Sequence, residues 1–310
     1  MRCPSTSTRA PGRGAAAFAT FAFAFALAAG CRDEFTSYGR LEGRLRVLAV
    51  QAEPPWLAPG ETSTVTALVH TPDGEAASLE WSWCPFPGDP STGYACTSPG
   101  GARALGNGER VPFIYPGTAA SVRALCEQLT AAGSTASPFV VLPDCERGPT
   151  VTVSLRARWR DQEVVAVKDL RLTYGGSENR NPSLGGVAAA VEPPGGRADP
   201  GSARSLDGGG ALRLGSLQRL WVEVPSEAAE EVGGGVREEL LLTWFVSAGE
   251  TAFTRTAWAE PDLSLDQART NTWKLPADPA DAAAGAKLVV VIRDDRGGVG
   301  WLLRGLSLQP

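Results

Sequence analysis

Residues 151–159 read Val-Thr-Val-Ser-Leu-Arg-Ala-Arg-Trp, an alternation strict enough to fix the local structure. Val151, Val153, Leu155, Ala157 and Trp159 fall on one face, and Thr152, Ser154, Arg156 and Arg158 on the other. In a pleated strand alternate side chains point to opposite faces, so one face is buried and the other wet, as in an antiparallel sheet. Asp161-Gln162 turns the chain, and residues 164–174 return as the hairpin partner.

The same signal occurs upstream. Residues 45–50 form an apolar run stopped by Glu53-Pro54-Pro55, and residues 62–70 are rich in Thr and Val. Leu79, Trp81 and Trp83 then alternate with Glu80, Ser82 and Cys84. An entry strand, a Thr-rich strand, a Trp-bearing third strand and a closing hairpin make residues 44–174 resemble an immunoglobulin-like sandwich. After a Gly/Asn-rich linker at 175–182 the order repeats: residues 187–191, residues 217–224, a third strand with Leu240, Leu242, Trp244 and Val246 on one face, and a hairpin of 288–292 with 299–308. The expected fold is mainly β, two tandem immunoglobulin-like antiparallel sandwiches over 44–174 and 183–310.

The first sandwich is expected to carry an insertion between its third strand and its hairpin. There Val122, Leu125, Cys126 and Leu129 fall at helical spacing within residues 119–132. The Pro/Gly-rich stretch 192–210 and the acidic, Gly-rich stretch 226–239 read as solvated loops on the rim of the second sandwich.

Residues 1–30 have a different character. Arg2, Arg9 and Arg13 precede an apolar run of mostly Ala and Phe over 15–29, with no acidic residue before Asp33. This is the layout of a secretory signal peptide, and the run is short of the roughly 20 apolar residues a membrane helix needs. It ends in Leu27-Ala28-Ala29-Gly30-Cys31, which resembles the lipobox of bacterial lipoproteins, with Ala28 where the family usually has a larger aliphatic residue. The resemblance implies that the Cys31 thiol is alkylated by diacylglycerol, that the leader is cut before it, and that the new amine is acylated, commonly with palmitate. Residues 31–43 would then be a lipidated tether on a membrane of the cell envelope. Two or more acyl chains hold stably, because each buried methylene contributes about 0.8 kcal/mol. Arg32 stands where an Asp would signal inner-membrane retention, which favours the outer membrane.

With Cys3 lost in the leader and Cys31 lipidated, Cys84, Cys96, Cys126 and Cys145 remain, an even set in an exported chain and so a disulfide framework. Of the three pairings, Cys84–Cys96 with Cys126–Cys145 closes the shortest loops. A zinc site is disfavoured, for no CxxC and no companion histidine is present. Removing Arg2, Arg9 and Arg13 with the leader shifts the formal net charge from -5 to -8, which leaves no footprint for nucleic acid.

Chemistry is sparse in this sequence. His70 is the sole histidine and reads as a surface residue at a strand end, although acid–base work and catalytic triads lean on histidine. No catalytic residue, metal or cofactor is expected. The alternative is an envelope glycan hydrolase working through two carboxylates, drawn from Glu260, Asp262 and Asp266 in one loop and Asp294-Asp295 in the closing turn. Of the nine tryptophans, Trp81, Trp83, Trp159, Trp221, Trp244 and Trp301 lie on expected strands and read as core. Trp56, Trp258 and Trp273 lie in or beside expected loops and are the candidates for ligand contact. The function these features imply is a non-catalytic lipoprotein that binds or scaffolds an envelope protein or a surface glycan.

Overall fold

The alternating segment forms strand β7 (Thr150–Trp159), with Val151, Val153, Leu155 and Ala157 fully buried, and it pairs with β8 (Gln162–Leu172) as the closing hairpin. The computed structural model describes residues 37–85, 94–96, 100–136, 145–146, 148–175, 179–282 and 285–310. The leader, Cys31 and the first half of the tether lie outside the described residues.

Sandwich 1 packs a sheet of β1 (Arg46–Glu53), β3 (Thr62–His70) and β6 (Arg110–Ile114), in the order β1-β3-β6, against a second sheet. That second sheet runs β2-β8-β7-β4-β5, with β2 at Trp56–Leu57, β4 at Ser78–Cys84 and β5 at Arg103–Asn107. Leu79, Trp81 and Trp83 on β4 face inward, and Trp83 meets Phe113 edge-on at 5.5 Å. Edge-to-face contact suits the positive rim and negative face of two aromatic rings.

Sandwich 2 repeats this plan. Strands β9 (Val187–Val191), β12 (Leu217–Val222) and β18 (Thr270–Lys274) match the first sheet, extended by β10 (Arg204–Ser205) and β16 (Glu250–Thr251). The facing sheet runs β11-β20-β19-β15-β17, comprising β11 (Ala211–Arg213), β15 (Leu240–Val246), β17 (Arg255–Trp258), β19 (Ala286–Asp294) and β20 (Val299–Gln309). A small hairpin of β13 (Glu231–Gly233) and β14 (Val236–Arg237) stands apart. The sheets are not wholly antiparallel. In each sandwich a short strand joins the last strand in parallel, Trp56 beside Arg171 in one and Ala211 beside Ser307 in the other. Shared topology down to this detail fits two copies of one sandwich type.

The expected insertion in sandwich 1 is partly the sandwich itself, since β5 and β6 complete its two sheets. Strand β6 reads Arg-Val-Pro-Phe-Ile, and its proline suits the sheet edge it occupies, where no ladder partner needs the missing N–H. Helix α1 (Ala119–Ala136) follows, burying Val122, Leu125 and Cys126 against the core. Its first turn is closed reciprocally: Ser121 N donates to Thr118 Oγ1 at 3.3 Å, and Thr118 N donates to Ser121 Oγ at 2.8 Å. Disulfides join Cys84 to Cys96 and Cys126 to Cys145, with Cα atoms 5.7 and 5.6 Å apart. The local pairing therefore holds, and it staples the two long connections of sandwich 1.

A third apolar cluster joins the sandwiches. Leu48 and Ala49 of β1 meet Phe245, Val289, Val291 and Val299 of sandwich 2, with Leu68 and Trp301 packed at the edge. Arg293 donates to Leu48 O at 2.9 Å, and Gln51 donates to Val299 O at 2.7 Å. The stretch read as a linker is pinned in the same seam. Asn181 donates to Ala52 O at 2.7 Å and accepts from Val299 N at 2.8 Å. The backbone at Pro182 passes so close that a Cβ on Gly300 would lie 2.1 Å from Pro182 O, and one on Gly298 would meet Pro182 Cδ at 2.8 Å. Only glycine fits there. The described part of the tether is docked as well: Leu41 is buried, Leu41 N donates to Val246 O, and Val246 N donates to Gly39 O, both at 2.8 Å.

Candidate functional site

Trp56, Trp258 and Trp273 do not offer a ligand surface. They are 4 %, 6 % and 0 % exposed, and each lies on a strand too short to be read from its pattern. Trp273 donates its indole N–H to Ala248 O at 2.9 Å within the core of sandwich 2. Trp56 donates to Arg296 O at 2.9 Å, and the guanidiniums of Arg171 and Arg296 stack on its ring at 4.8 and 4.7 Å. It belongs to the seam between the sandwiches.

The carboxylates considered for hydrolysis fall in two places on sandwich 2, the loop around residues 260–266 and the closing turn. Glu260, Asp262 and Asp266 are exposed around helix α2 (Leu265–Ala268), and Asp266 pairs with Arg269 at 3.0 Å. Asp295 is exposed, whereas Asp294 is buried and accepts from Arg296 N and Gly298 N at 2.9 and 2.6 Å, the bonds that shape the closing turn. Burial raises the Asp294 pKa, and the turn's N–H groups and the Lys168 charge oppose that. Among the described residues no group of three or more His, Cys, Asp or Glu is placed to hold a metal.

A buried charged cluster surrounds this turn. Arg296 pairs with Glu238 at 2.7 Å and Glu230 at 3.0 Å, and donates to Asn179 Oδ1 at 2.7 Å. The Glu238 side chain is fully buried, and desolvation lifts its pKa to about 7. Glu230 and Glu238 come from the stretch read as a solvated loop, which instead folds back through β13 and β14. Lys168, from sandwich 1, inserts its ammonium against Gly297 O, and burial draws its pKa down to about 8. The cluster ties the two sandwiches together at the seam.

His70 is also in the seam rather than on the surface. It is 8 % exposed beside a cleft of about 250 Å³ lined by Leu41, Leu48, Leu79, Lys287, Val289 and Leu303. Burial, then the charges of Lys287 and Arg46, lower its pKa from 6.5 to about 4. Between those values the unfolded chain binds a proton that the folded chain refuses, so this group subtracts stability as pH falls from 6.5 to about 4 and nothing further below. The wild-type melting temperature is expected to drop more between pH 7 and pH 4.5 than that of His70→Gln. Parallel profiles would place the imidazole in water.

The outward face of sandwich 2 presents a more open surface. Along β12, Gln218, Leu220 and Val222 point inward, which turns Arg219 and Trp221 outward. Register sets Arg219 between Ala190 and Thr272, and Trp221 between Ala188 and Thr270. Trp221, read as core, is thus half-buried in the wall of a hollow of about 390 Å³ with Ala188, Pro200, Ala203, Glu223 and Arg269. The phase of β12 carries this signal, because Arg219 and Glu223 share the face of Trp221.

Beside it lies a groove of about 640 Å³, bounded by Arg197, Arg219, Phe253, Arg255, Leu263 and Gln267. No Asp or Glu is among its lining side chains. Phe253 and Leu263 are 61 % and 42 % exposed. Arg219 grips the buried Glu192 carboxylate through Nε at 3.0 Å and Nη2 at 2.5 Å, and Ala198 N donates to the same carboxylate at 3.2 Å. These hydrogen bonds hold the Glu192 pKa below its ordinary value and fasten the 192–203 loop over the sheet. The volume is in the range of small-ligand sites, and the groove combines apolar contact with placed charge.

Comparison with known proteins adds little here. No family model matches the chain, and no curated protein matches it. Two solved structures align over most of its length at 10 % identity and a TM-score of 0.19: the Yersinia pseudotuberculosis adhesin InvE, over 83 % of this chain and 58 % of that one, and dimeric latent PorU from Porphyromonas gingivalis, over 86 % and 24 %. The chain spans less than two thirds of either protein. A likeness this weak carries no functional argument.

Proposed function

We propose that this chain is a bacterial lipoprotein, exported by residues 1–30, acylated at Cys31 and held on the outer membrane, and that its folded part is a non-catalytic binding module for an envelope protein or surface glycan. The observation that carries the binding reading is the groove on sandwich 2. It has exposed apolar side chains and arginines, whereas Lys168, Glu238 and Arg296 are engaged in the seam between the sandwiches. The carboxylates Glu260, Asp262 and Asp266, needed by a hydrolase, do not line it. Sandwiches host many unrelated functions, so the reading rests on the groove and not on the fold.

Two measurements test it. Cells fed an alkyne-tagged fatty acid are expected to label the wild-type protein and not Cys31→Ser, whose leader should also stay uncut; equal labelling would remove the anchor. Affinity purification of the mature protein from envelope extracts in mild detergent is expected to retain a protein or glycan. Recovery of the protein alone, with glycan arrays also blank, would remove the binding function.

A further inference from the structure

We propose that the open edge of β17 docks an extended acidic segment of a partner protein, which adds to its five-stranded sheet as a sixth strand. The proposal rests on the binding-module reading and names the partner's chemistry.

The register of β17 shows where such a strand fits. β17 is the outermost strand of its sheet and pairs on one side only, with β15. In an antiparallel pair, alternate residues turn both backbone groups toward the partner, and the residues between them turn theirs away. Trp244 N donates to Thr254 O at 2.9 Å. That bond sets the backbone groups of Thr254, Thr256 and Trp258 toward β15, and those of Phe253, Arg255, Ala257 and Ala259 toward the outer edge. At both ends of this edge the fold supplies its own partner. Asn271 caps Phe253 with its side-chain amide, donating to Phe253 O at 2.7 Å and accepting from Phe253 N at 3.2 Å. Ala259 exchanges two backbone bonds with Leu263, at 3.2 and 2.8 Å. Between these caps, the N–H and C=O groups of Arg255 and Ala257 have no partner among the described residues, and both residues line the groove. Four backbone groups in a row match a short stretch of antiparallel strand, the basis of recognition by strand addition.

Charge selects the strand. The chain is acidic overall, yet this groove is lined by Arg197, Arg219 and Arg255 and by no carboxylate. Arg219 is committed to Glu192, whereas Arg197 and Arg255 are exposed and form no ion pair among the described residues. Guanidinium binds carboxylate through two parallel N–H bonds, so Asp or Glu on the added strand suits them. Exposed Phe253 and Leu263 offer contact to apolar residues of the same segment. A second copy of this chain is disfavoured, because pairing β17 with itself would bring two like-charged Arg255 side chains within reach of each other. A sugar polymer would need side-chain hydroxyls and amides. Those of Thr256, Thr270 and Asn271 are already bonded, to Ala268 O, Asp266 O and the Phe253 backbone.

The test uses the mature chain and labelled peptides of the pattern Glu-X-Glu-X-Glu, with X as Val, Leu, Phe or Tyr, read by fluorescence anisotropy. At least one is expected to bind, more weakly as salt is added, while its counterpart with Lys for Glu stays free. N-methylation of the bound peptide removes N–H donors and keeps every charge. Methylating alternate residues should weaken binding at least about tenfold in one phase and far less in the other. Ala257→Pro deletes an outward N–H that β15 does not use, as an edge strand allows, and should cost a similar factor. Arg197→Ala with Arg255→Ala should also weaken binding about tenfold or more. Both variants are expected to melt near the wild-type temperature; if Ala257→Pro does not fold, the methylated peptides decide. No binding by any peptide, or binding that ignores methylation in both phases, overturns the proposal. Binding of polygalacturonate in place of the peptides overturns it too and leaves a glycan-binding module. The binding-module reading is in each case judged by the affinity purification alone.

Discussion

Arg296→Ala is expected to destabilise the folded chain by about 3–5 kcal/mol, because it leaves a buried acid without its partner. Arg296 Nε lies 2.7 Å from a Glu238 carboxylate that has no solvent exposure. The same side chain bonds Glu230 and Asn179 and stacks on Trp56, so packing is lost along with charge. The loss should depend on pH with a definite sign. Glu238 already has a pKa raised to about 7, so the folded state holds a proton there that the unfolded state has released above 4.5. Stability contributed by this group therefore falls as pH rises through that window. Without the guanidinium the window extends upward, and the gap between variant and wild type is expected to be wider at pH 8 than at pH 5. Adding Glu238→Gln should recover part of the loss by removing the orphaned charge. Chemical denaturation of the single and double variants at both pH values measures all three effects, and simple additivity would show that the pair is not coupled.

Val291→Asp should be comparably severe, for a reason that only the joined sandwiches supply. Val291 lies on the outward face of β19, opposite the core of its own sandwich, yet it has no solvent exposure because sandwich 1 covers it. Were sandwich 2 free on a flexible linker, this face would be wet and the substitution would change stability by about 1 kcal/mol, the span of strand propensity. In the seam it forces an unpaired carboxylate among Leu48, Ala49, Phe245 and Val289, at about 3–5 kcal/mol. At roughly 2–4 °C per kcal/mol for a body of this size, the melting temperature should fall by about 10 °C. A fall of only a few degrees would mean that the seam opens readily.

Most of the regular architecture was legible from alternation alone. The period-two runs gave the long strands of both sandwiches within a few residues, and the matching order of the two halves gave the repeat. The local disulfides and the helix face of Val122, Leu125 and Cys126 also follow from spacing. Short strands did not announce themselves. Arg255–Trp258 and Thr270–Lys274 hold too few residues for a period to emerge, so Trp258 and Trp273 looked like loop residues although both are core. Trp221 was misread for the opposite reason: it lies on an evident strand, but its phase with Arg219 turns it outward.

The seam was the least legible feature. Contacts such as Gln51 with Val299 and Lys168 with Gly297 join residues far apart in sequence, and no local pattern encodes them. Its one sequence trace is an excess of apolar residues on β19, where Leu288, Val289, Val290, Val291 and Ile292 run without alternation. A strand buried on both faces reads this way. That run was available as a sign that the outer face of sandwich 2 is covered. The groove on the same sandwich combines β12, β17, α2 and the 192–203 loop, so its arginines meet only after folding.

The two sandwiches form one body, held by a buried seam, and so present the groove at a fixed position. Spin labels at Asp161, on the tip of the β7–β8 hairpin, and at Gly234, on the tip of the β13–β14 hairpin, sample the two sandwiches from exposed positions. Pulsed electron–electron resonance on the mature chain with its disulfides intact should give a single narrow distance distribution, unchanged by salt and broadened by Val291→Asp. A broad distribution in the wild-type chain would contradict the claim, because it would show the sandwiches moving independently about residues 175–182.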